Sequence, residues 1–319
     1  MDFTIEKYRE LLEALKKHKS HRIRHDVDLR PEFSLRVAQV EAEMGVEATY
    51  YFRSMHVESH AEVIKAIVAL GHRAGYHYES LTTCKGDMEA AYEDFCRNLE
   101  RLRGLVPVST ACAHGSPRSP YNSQSMWESQ SRKVTELQSH KVTELQSHKV
   151  TELQSHKVTE LQSHKVTELQ SHKVTESQSH KEKTLYHSAT LPLCHSIYDI
   201  HALGIEYEPM LDTDFSKTLY LTDTGRRWDG YKVSVRDKVP QYQEQWQQEG
   251  LVFHTTEDII HALNDIHHPI HQKELLINTH PQRWMPFGMQ WTVEAVGQWW
   301  KNQAKRLIVN FHPTPTVFQ

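Results

Sequence analysis

The first twenty residues lack an uninterrupted apolar run, neither sign of charge dominates, and cysteine is scarce; each shortage removes a class of function. "MDFTIEKYRELLEALKKHKS" carries charges throughout, so it reads as neither a secretory signal peptide nor a transmembrane span, and a cytoplasmic protein is expected. A formal charge of -4 with a pI near 6.7 leaves no electrostatic footprint for nucleic acid or for an acidic membrane surface. The four cysteines, Cys84, Cys96, Cys112 and Cys194, show no CxxC spacing and are too few to staple a chain of 319 residues. They read as reduced, mostly buried thiols. That length is enough to bury a real core in one large α/β domain or two smaller ones. What the chain has in excess is histidine, with 24 residues, six of them in a tandem repeat.

From Lys133 to His180 the octapeptide "KVTELQSH" occurs five times unchanged and a sixth time with Ser177 in place of leucine. Eight residues cannot form the supersecondary unit that a solenoid stacks. On an α-helix an eight-residue step turns the Val/Leu pair by about 80° per copy, and on a strand the two residues fall on opposite faces. Neither geometry buries a coherent face. The repeat therefore reads as a solvated insertion, part-helical or disordered, in a surface loop where added length costs little. Its histidines also admit a metal-binding or pH-sensitive tract. Residues 1–132 and 181–319 are then expected to form one domain interrupted by residues 133–180.

Outside the repeat, helical and extended patterns alternate. "IEKYRELLEALKKH", "PEFSLRVAQVEAEMG", "HAEVIKAIVALG" and "DMEAAYEDFCRNLERLRG" have apolar residues at helical spacing, and the second opens on Pro31 and stops at Gly45. Between them lie the strand patterns His21 to Asp28, "VEATYYFR", "HRAGYHYE" and "VSTACAHG". Beyond the repeat, "IEYEPML", "TLYLTD", "YKVSVRD", "LVFH" and "ELLINTH" read as further strands, with "TEDIIHALND" a helix between the last two. The closing helix, near "WTVEAVGQWWKNQAKRLIVNF", is expected to pack its apolar residues into the core, with a membrane surface or a partner as the alternative. Strands separated by helices imply βαβ units, hence a parallel sheet or a barrel.

Ligands of parallel α/β folds bind at the carboxyl ends of the strands. There the pattern places Asp26 and Asp28, His77 and Glu79, His114, His280, and Asp223 followed by Arg226, Arg227 and Trp228. Asp28, His77 and His114 make a mixed O/N donor set suited to Zn²⁺ or another first-row divalent ion. Asp26 is placed to take a proton from an activated water and His280 to protonate a leaving group. Arg226 or Arg227 could orient Asp26 or bind an anionic sugar, and Trp228 could stack on a sugar face; structural roles stand equally open.

Three segments resemble the polysaccharide deacetylase family, carbohydrate esterase family 4, and more closely its divergent bacterial branch. "RHDVD" is similar to the family's aspartate motif, "GHRAGYHYES" to its Gly-His-Glu-Ile-Gly-x-His motif, and "LLINTHP" to its late Leu-x-x-His motif. The resemblance runs from Arg24 to about Trp284, without the repeat. It implies a distorted (β/α) barrel, a divalent metal (zinc first, with cobalt, nickel or manganese as alternatives), and hydrolysis of an N-acetyl or related acyl group on a sugar. By position it makes Asp26 the base, Asp28 and His77 metal ligands, and His280 the late acid; Glu79, Arg226, Arg227 and Trp228 are expected at the substrate from their place at or beyond the strand ends, and "LTDTGRRWDG" matches none of the family's motifs. The family's second metal histidine, four residues after the first, falls here on Leu81, and His114 in "CAHGSPRSPYN" is its expected replacement. Arg118, Pro120 and Tyr121 match an Arg-x-Pro-Tyr motif in form.

The expectation is thus a metal-dependent deacetylase with a carbohydrate substrate, no nucleic-acid partner and no transmembrane segment. Two alternatives stand beside it: a small-molecule amidohydrolase on the same barrel, and an inactive glycan-binding or scaffold protein in which Leu81 marks a lost site.

Overall fold

The computed structural model describes residues 1–116, 119–127, 198–230, 234 and 237–311, with side chains described as far as Gln303. The chain divides into two compact units, Met1–Met126 with Ile200–Gln319, and Trp127–Asp199; the first holds the sheet and the helices packed on it. The repeat, Arg118, Cys194 and most of the expected strand "YKVSVRD" lie outside the described residues.

Six parallel strands form one curled sheet: β1 (His21–Val27), β2 (Thr49–Phe52), β3 (Arg73–Tyr78), β4 (Ala111–Ala113), β5 (Thr218–Thr222) and β6 (Glu274–Thr279), in the order β4-β3-β2-β1-β6-β5. The helices among the described residues are α1 (Ile5–Leu15), α2 (Pro31–Glu43), α3 (His56–Ser59), α4 (Ala61–Ala69), α5 (Ser80–Thr83), α6 (Met88–Arg103), α7 (Pro240–Gln248), α8 (Thr256–Asn264) and α9 (Met289–Phe311). Local chemistry sets their starts. Thr4 accepts from the Lys7 amide ahead of α1, Pro31 opens α2, Asp87 accepts from the Ala90 amide ahead of α6, and Thr255 with Asp258 closes a capping box on α8.

The sheet is a half-barrel, so the expectation of a distorted (β/α) barrel holds for the mixed α/β class and the curled parallel sheet but not for closure. The reason is visible beside β4. "IEYEPML" has a strand pattern there, yet only an isolated bridge, Thr110 to Tyr207, forms. Glu208 turns inward, fully buried, and its carboxylate accepts from the amides of Ala113 (3.0 Å), Met210 (2.6 Å) and Leu211 (2.9 Å). A carboxylate that takes backbone donors substitutes for a strand neighbour and ends the ladder. "LVFH" is likewise irregular: Leu251 and Phe253 are buried, but the His254 amide donates to the Asp258 side chain (3.1 Å) as part of the cap of α8.

Period-two alternation gives the two faces of the sheet opposite characters. The convex face buries His25, Tyr50, Tyr76, Tyr78 and Ile277 under helices, with Tyr76 and Tyr78 each 5.1 Å from the ring of Phe95 on α6. Glu41 of α2 is buried here and fully engaged: it accepts from Tyr8, Tyr50 and His25, while the other nitrogen of His25 meets Thr279 Oγ1 at 2.7 Å. A buried carboxylate is tolerated when both of its oxygens are supplied with donors. The concave face carries Arg24, Asp26, Tyr51, Gly75, His77, Cys112, Tyr220 and Asn278. Gly75 is required to be glycine by its surroundings, because a Cβ there would stand 2.5 Å from the Tyr51 ring.

Among the thiols, Cys112 is buried while Cys84 and Cys96 are only half-buried, fewer than expected; none of the three is paired among the described residues.

Candidate active site

β1 delivers its polar residues to the concave side and then releases them. Asp26 lies within the strand, and Asp28 follows in a loop whose next residues include Arg30 at φ 54°, a left-handed conformation uncommon for a residue with a Cβ. β3 brings His77 alongside, and the residue after β4 is His114. Asp28 Oδ1 lies 3.4 Å from His77 Nε2 and 3.3 Å from His114 Nε2. This oxygen is buried and accepts no hydrogen bond from the described residues. Both imidazoles are oriented through their other nitrogens: His77 Nδ1 donates to the Cys112 carbonyl (3.0 Å), and His114 Nδ1 donates to Glu79 Oε2 (3.1 Å). That leaves the Nε2 lone pairs directed at Asp28, the arrangement by which outer partners fix metal-binding histidines.

The spacing is one that could hold a metal ion. Ligand atoms at about 2.0–2.1 Å from a tetrahedral ion stand about 3.3–3.4 Å from one another. The donor set of one carboxylate oxygen and two imidazole nitrogens thus fits a divalent ion in both chemistry and separation. A second group, Asp26, His77 and Cys112, also brings three donor atoms within 4.8 Å of one another. It shares His77, but burial pushes the Cys112 thiol well above its ordinary range, and Asp26 already has two donors on Oδ2. The Asp28 group is the better site on both counts.

Asp26 is buried, and its Oδ2 accepts from Arg24 Nη2 (2.9 Å) and Asn278 Nδ2 (2.9 Å). Burial raises its pKa, but the Arg24 guanidinium, with His77 and His280, outweighs that and holds it below the usual carboxylate value. Its Oδ1 is buried and accepts no hydrogen bond from the described residues, and the residue lines the same cavity as Asp28. Asp28 is shifted further in the same direction: burial opposes ionisation, and His77, His280 and His114 overcome it. His77 responds in kind. Burial lowers its pKa, Asp26 and Asp28 raise it, and the balance lies above the ordinary 6.5.

His280 follows β6 and faces Asp28 from the other side, Nε2 to Oδ2 at 3.6 Å. Its Nδ1 donates to Asp223 Oδ1 (2.6 Å), and its amide donates to Asp223 Oδ2 (3.0 Å). Asp223, fully buried just after β5, also accepts from Arg283 Nη1 and from Trp284 Nε1 (2.9 Å). Burial would raise the Asp223 carboxyl, but Arg283 and His280 bring it down to about 2. The His280 imidazole is lowered by burial and by Arg283, yet Asp223 and Asp28 raise it above its usual value.

The cavity over these residues has a volume of about 150 Å³, and its lining is largely polar, with Arg24, Asn122, Gln124 and Asp237 joining the residues above.

The structure brings together Asp26, Asp28, His77, His114 and His280. Glu79 belongs to the cluster but not to the cavity lining: it is held by Arg53 and His114, which bring its carboxyl down to about 2 against the opposing effect of burial. It orients His114 through the Nδ1 hydrogen bond. Arg226, Arg227 and Trp228 are not brought to the site. Arg226 pairs with Glu294 and lies 4.5 Å over the Trp291 ring; Arg227 is paired to Asp229; Trp228 is 5 % exposed between Phe3 and Trp284, its indole N–H given to Thr256 Oγ1 (2.9 Å). The left-handed turn at Gly225 and Arg226 sends the chain away from the rim after Asp223. Leu81 is buried and does not line the cavity, and neither do Pro120 and Tyr121.

Residues that sequence reasoning left without a role are Arg24, Asn278, Arg53 and the pair Arg283 and Trp284. Arg24 and Asn278 carry a readable signal, since each lies two residues before Asp26 or His280 and so on the same face of its strand. No protein-family model and no curated protein matches this chain.

Proposed function

We propose that the chain is a metal-dependent amide hydrolase that removes an N-acetyl or similar acyl group from an amino sugar. The observation that carries this reading is the joint placement of an unpartnered Asp28 Oδ1 against two oriented imidazoles, with Asp26 and His280 in the same cavity. Asp28, His77 and His114 would hold a divalent ion, zinc by donor type. When bound, the ion supplies Lewis acidity toward water and the acyl carbonyl.

The chain's own groups account for the proton movements. Asp26 keeps Oδ1 free because Arg24 and Asn278 are both directed at Oδ2, so a proton from the attacking water has an acceptor at that oxygen. The depressed pKa of Asp26 keeps it ionised and ready at neutral pH. His280, whose pKa Asp223 raises, gives its Nε2 proton to the departing amine nitrogen. Asp223 fixes the tautomer by taking the Nδ1 proton's hydrogen bond, and Arg283 keeps Asp223 ionised. The resemblance of "RHDVD", "GHRAGYHYES" and "LLINTHP" to polysaccharide deacetylases supports the same assignment.

The small cavity favours, as a second reading, a small-molecule amidohydrolase using the same residues. Zinc-loaded protein assayed on N-acetyl amino sugars, and on linear and cyclic amides, separates the two by whether acetate or another product is released. In either case Asp26→Asn and His280→Ala should retain metal and lose on the order of 10²–10⁴ in rate. A wild-type protein that binds metal and hydrolyses none of these substrates would instead fit a binding or scaffold protein.

A further inference from the structure

Helix α9 is docked by its polar side. Gln298 and Asn302 are 7 % and 8 % exposed; Gln298 donates to Asn302 Oδ1 and Asn302 Nδ2 donates to the Gly225 carbonyl, both at 2.8 Å. Trp291 Nε1 donates to the Phe3 carbonyl (3.1 Å), and Glu294 pairs with Arg226. The other side is apolar and faces outward. Met289, Val293, Val296 and Trp300 are 84 %, 66 %, 53 % and 64 % exposed. At about 100° per residue these four fall within an arc of about 60°. Trp299, with its ring 4.8 Å from that of Trp300, extends the patch. A helix on the surface of a globular domain ordinarily shows the reverse distribution.

The spacing of the stripe, four then three then four residues, is that of a coiled-coil seam. The residues flanking it, Gln290, Thr292 and Gly297, are uncharged, so no like charges oppose a second helix of the same sequence. Beside Gly297 there is open space in which a facing side chain can be seated. With tryptophan side chains of about 150–250 Å² each, the patch presents roughly 600 Å² of apolar surface, at the upper end of what a monomer exposes. Two such faces meeting would bury about 1,200 Å², the lower bound for a specific, stable interface before any polar rim is added. A lipid surface is the weaker occupant: the span of the stripe, Met289 to Trp300, holds no cation and one carboxylate, Glu294, while Lys301, Lys305 and Arg306 all follow it in sequence, and an interfacial helix carries its cations along the polar face.

We propose that this face is an isologous interface between two copies of the chain, α9 against α9 about a two-fold axis. It stands apart from the catalytic reading, since none of these residues lines the cavity. The test is sedimentation equilibrium of the full-length protein across a concentration series, beside the double variant Val296→Glu, Trp300→Glu. Wild type should show twice the 37.3 kDa chain mass, dissociating no more readily than in the micromolar range. The variant, which places two charges of one sign on each copy in the seam, should dissociate at least tenfold more readily, with a melting midpoint equal to that of wild type at concentrations where both are monomeric, because both positions are exposed. A wild type that is monomeric up to about 100 µM overturns the proposal whatever the variant does. So does a dimer that the variant leaves intact, or a monomer that co-sediments with phosphatidylserine vesicles through these residues.

Discussion

Asp223→Asn isolates the buried network behind His280. In the wild type one carboxylate receives the His280 imidazole, the His280 amide, the Arg283 guanidinium and the Trp284 indole. Its pKa falls from the ordinary 3.8 to about 2. At about 1.4 kcal/mol per pKa unit, this depression stabilises the fold by about 2 kcal/mol, present above pH 3.8 and lost as the pH falls through about 2. The amide removes that charge and leaves Arg283 facing His280 without a counter-ion; truncating one partner of a buried ionic network costs about 3–5 kcal/mol. Because asparagine keeps one acceptor oxygen, we expect a loss of about 3 kcal/mol, or roughly 6–12 °C in melting midpoint for a domain of this size. The loss should depend on pH. Asp223 raises the His280 pKa, a contribution fully present below pH 6.5 and lost as pH rises through the folded value, so the variant suffers more at pH 5.5 than at pH 8.5. Urea melts of metal-free protein at the two pH values measure both quantities, and ¹H–¹⁵N spectra of the imidazoles should show the His280 pKa dropping in the variant. A destabilisation under about 0.5 kcal/mol, or one equal at both pH values, refutes the network as described.

The same geometry has other consequences. Zinc affinity should weaken as pH falls from 8 to 6, because the raised pKa of His77 makes protons compete for its ring; calorimetry in buffers of different ionisation enthalpy should register proton release on binding. Glu79→Gln keeps the size of the side chain but weakens the hold on His114 Nδ1, and should reduce zinc affinity about 10–100-fold with little change in the far-ultraviolet spectrum. Gly75→Ala drives a methyl into the buried Tyr51 ring and should cost about 1–3 kcal/mol in a urea melt, although no polar group is touched.

Much of this arrangement is legible in the sequence because strands and amphipathic helices announce themselves by period. β1, β2, β3, β5, β6 and the principal helices lie where their patterns predict, and the rule that ligands gather at strand ends leads to Asp26, Asp28, His77, His114 and His280. The failures of that rule share a cause. Trp228, Arg226 and Arg227 follow a strand end as Asp28 does, but their fate depends on a left-handed turn and on partners distant in sequence, Thr256 and Glu294. Glu208 reads as one polar residue in a strand pattern, and only its contact with Ala113 shows why the sheet stops there. The apolar residues of α9 have helical spacing like those of α1, and spacing alone does not say which face meets the domain.

Binding of a divalent ion by Asp28, His77 and His114 is tested most directly by metal content. The full-length protein, loaded with zinc and dialysed, is measured by plasma mass spectrometry alongside Asp28→Ala, His114→Ala and Cys112→Ser. One ion per chain is predicted in the wild type and in Cys112→Ser, with loss of it in Asp28→Ala and in His114→Ala. Unchanged metal in both of those variants, or no metal in the wild type, would contradict the site.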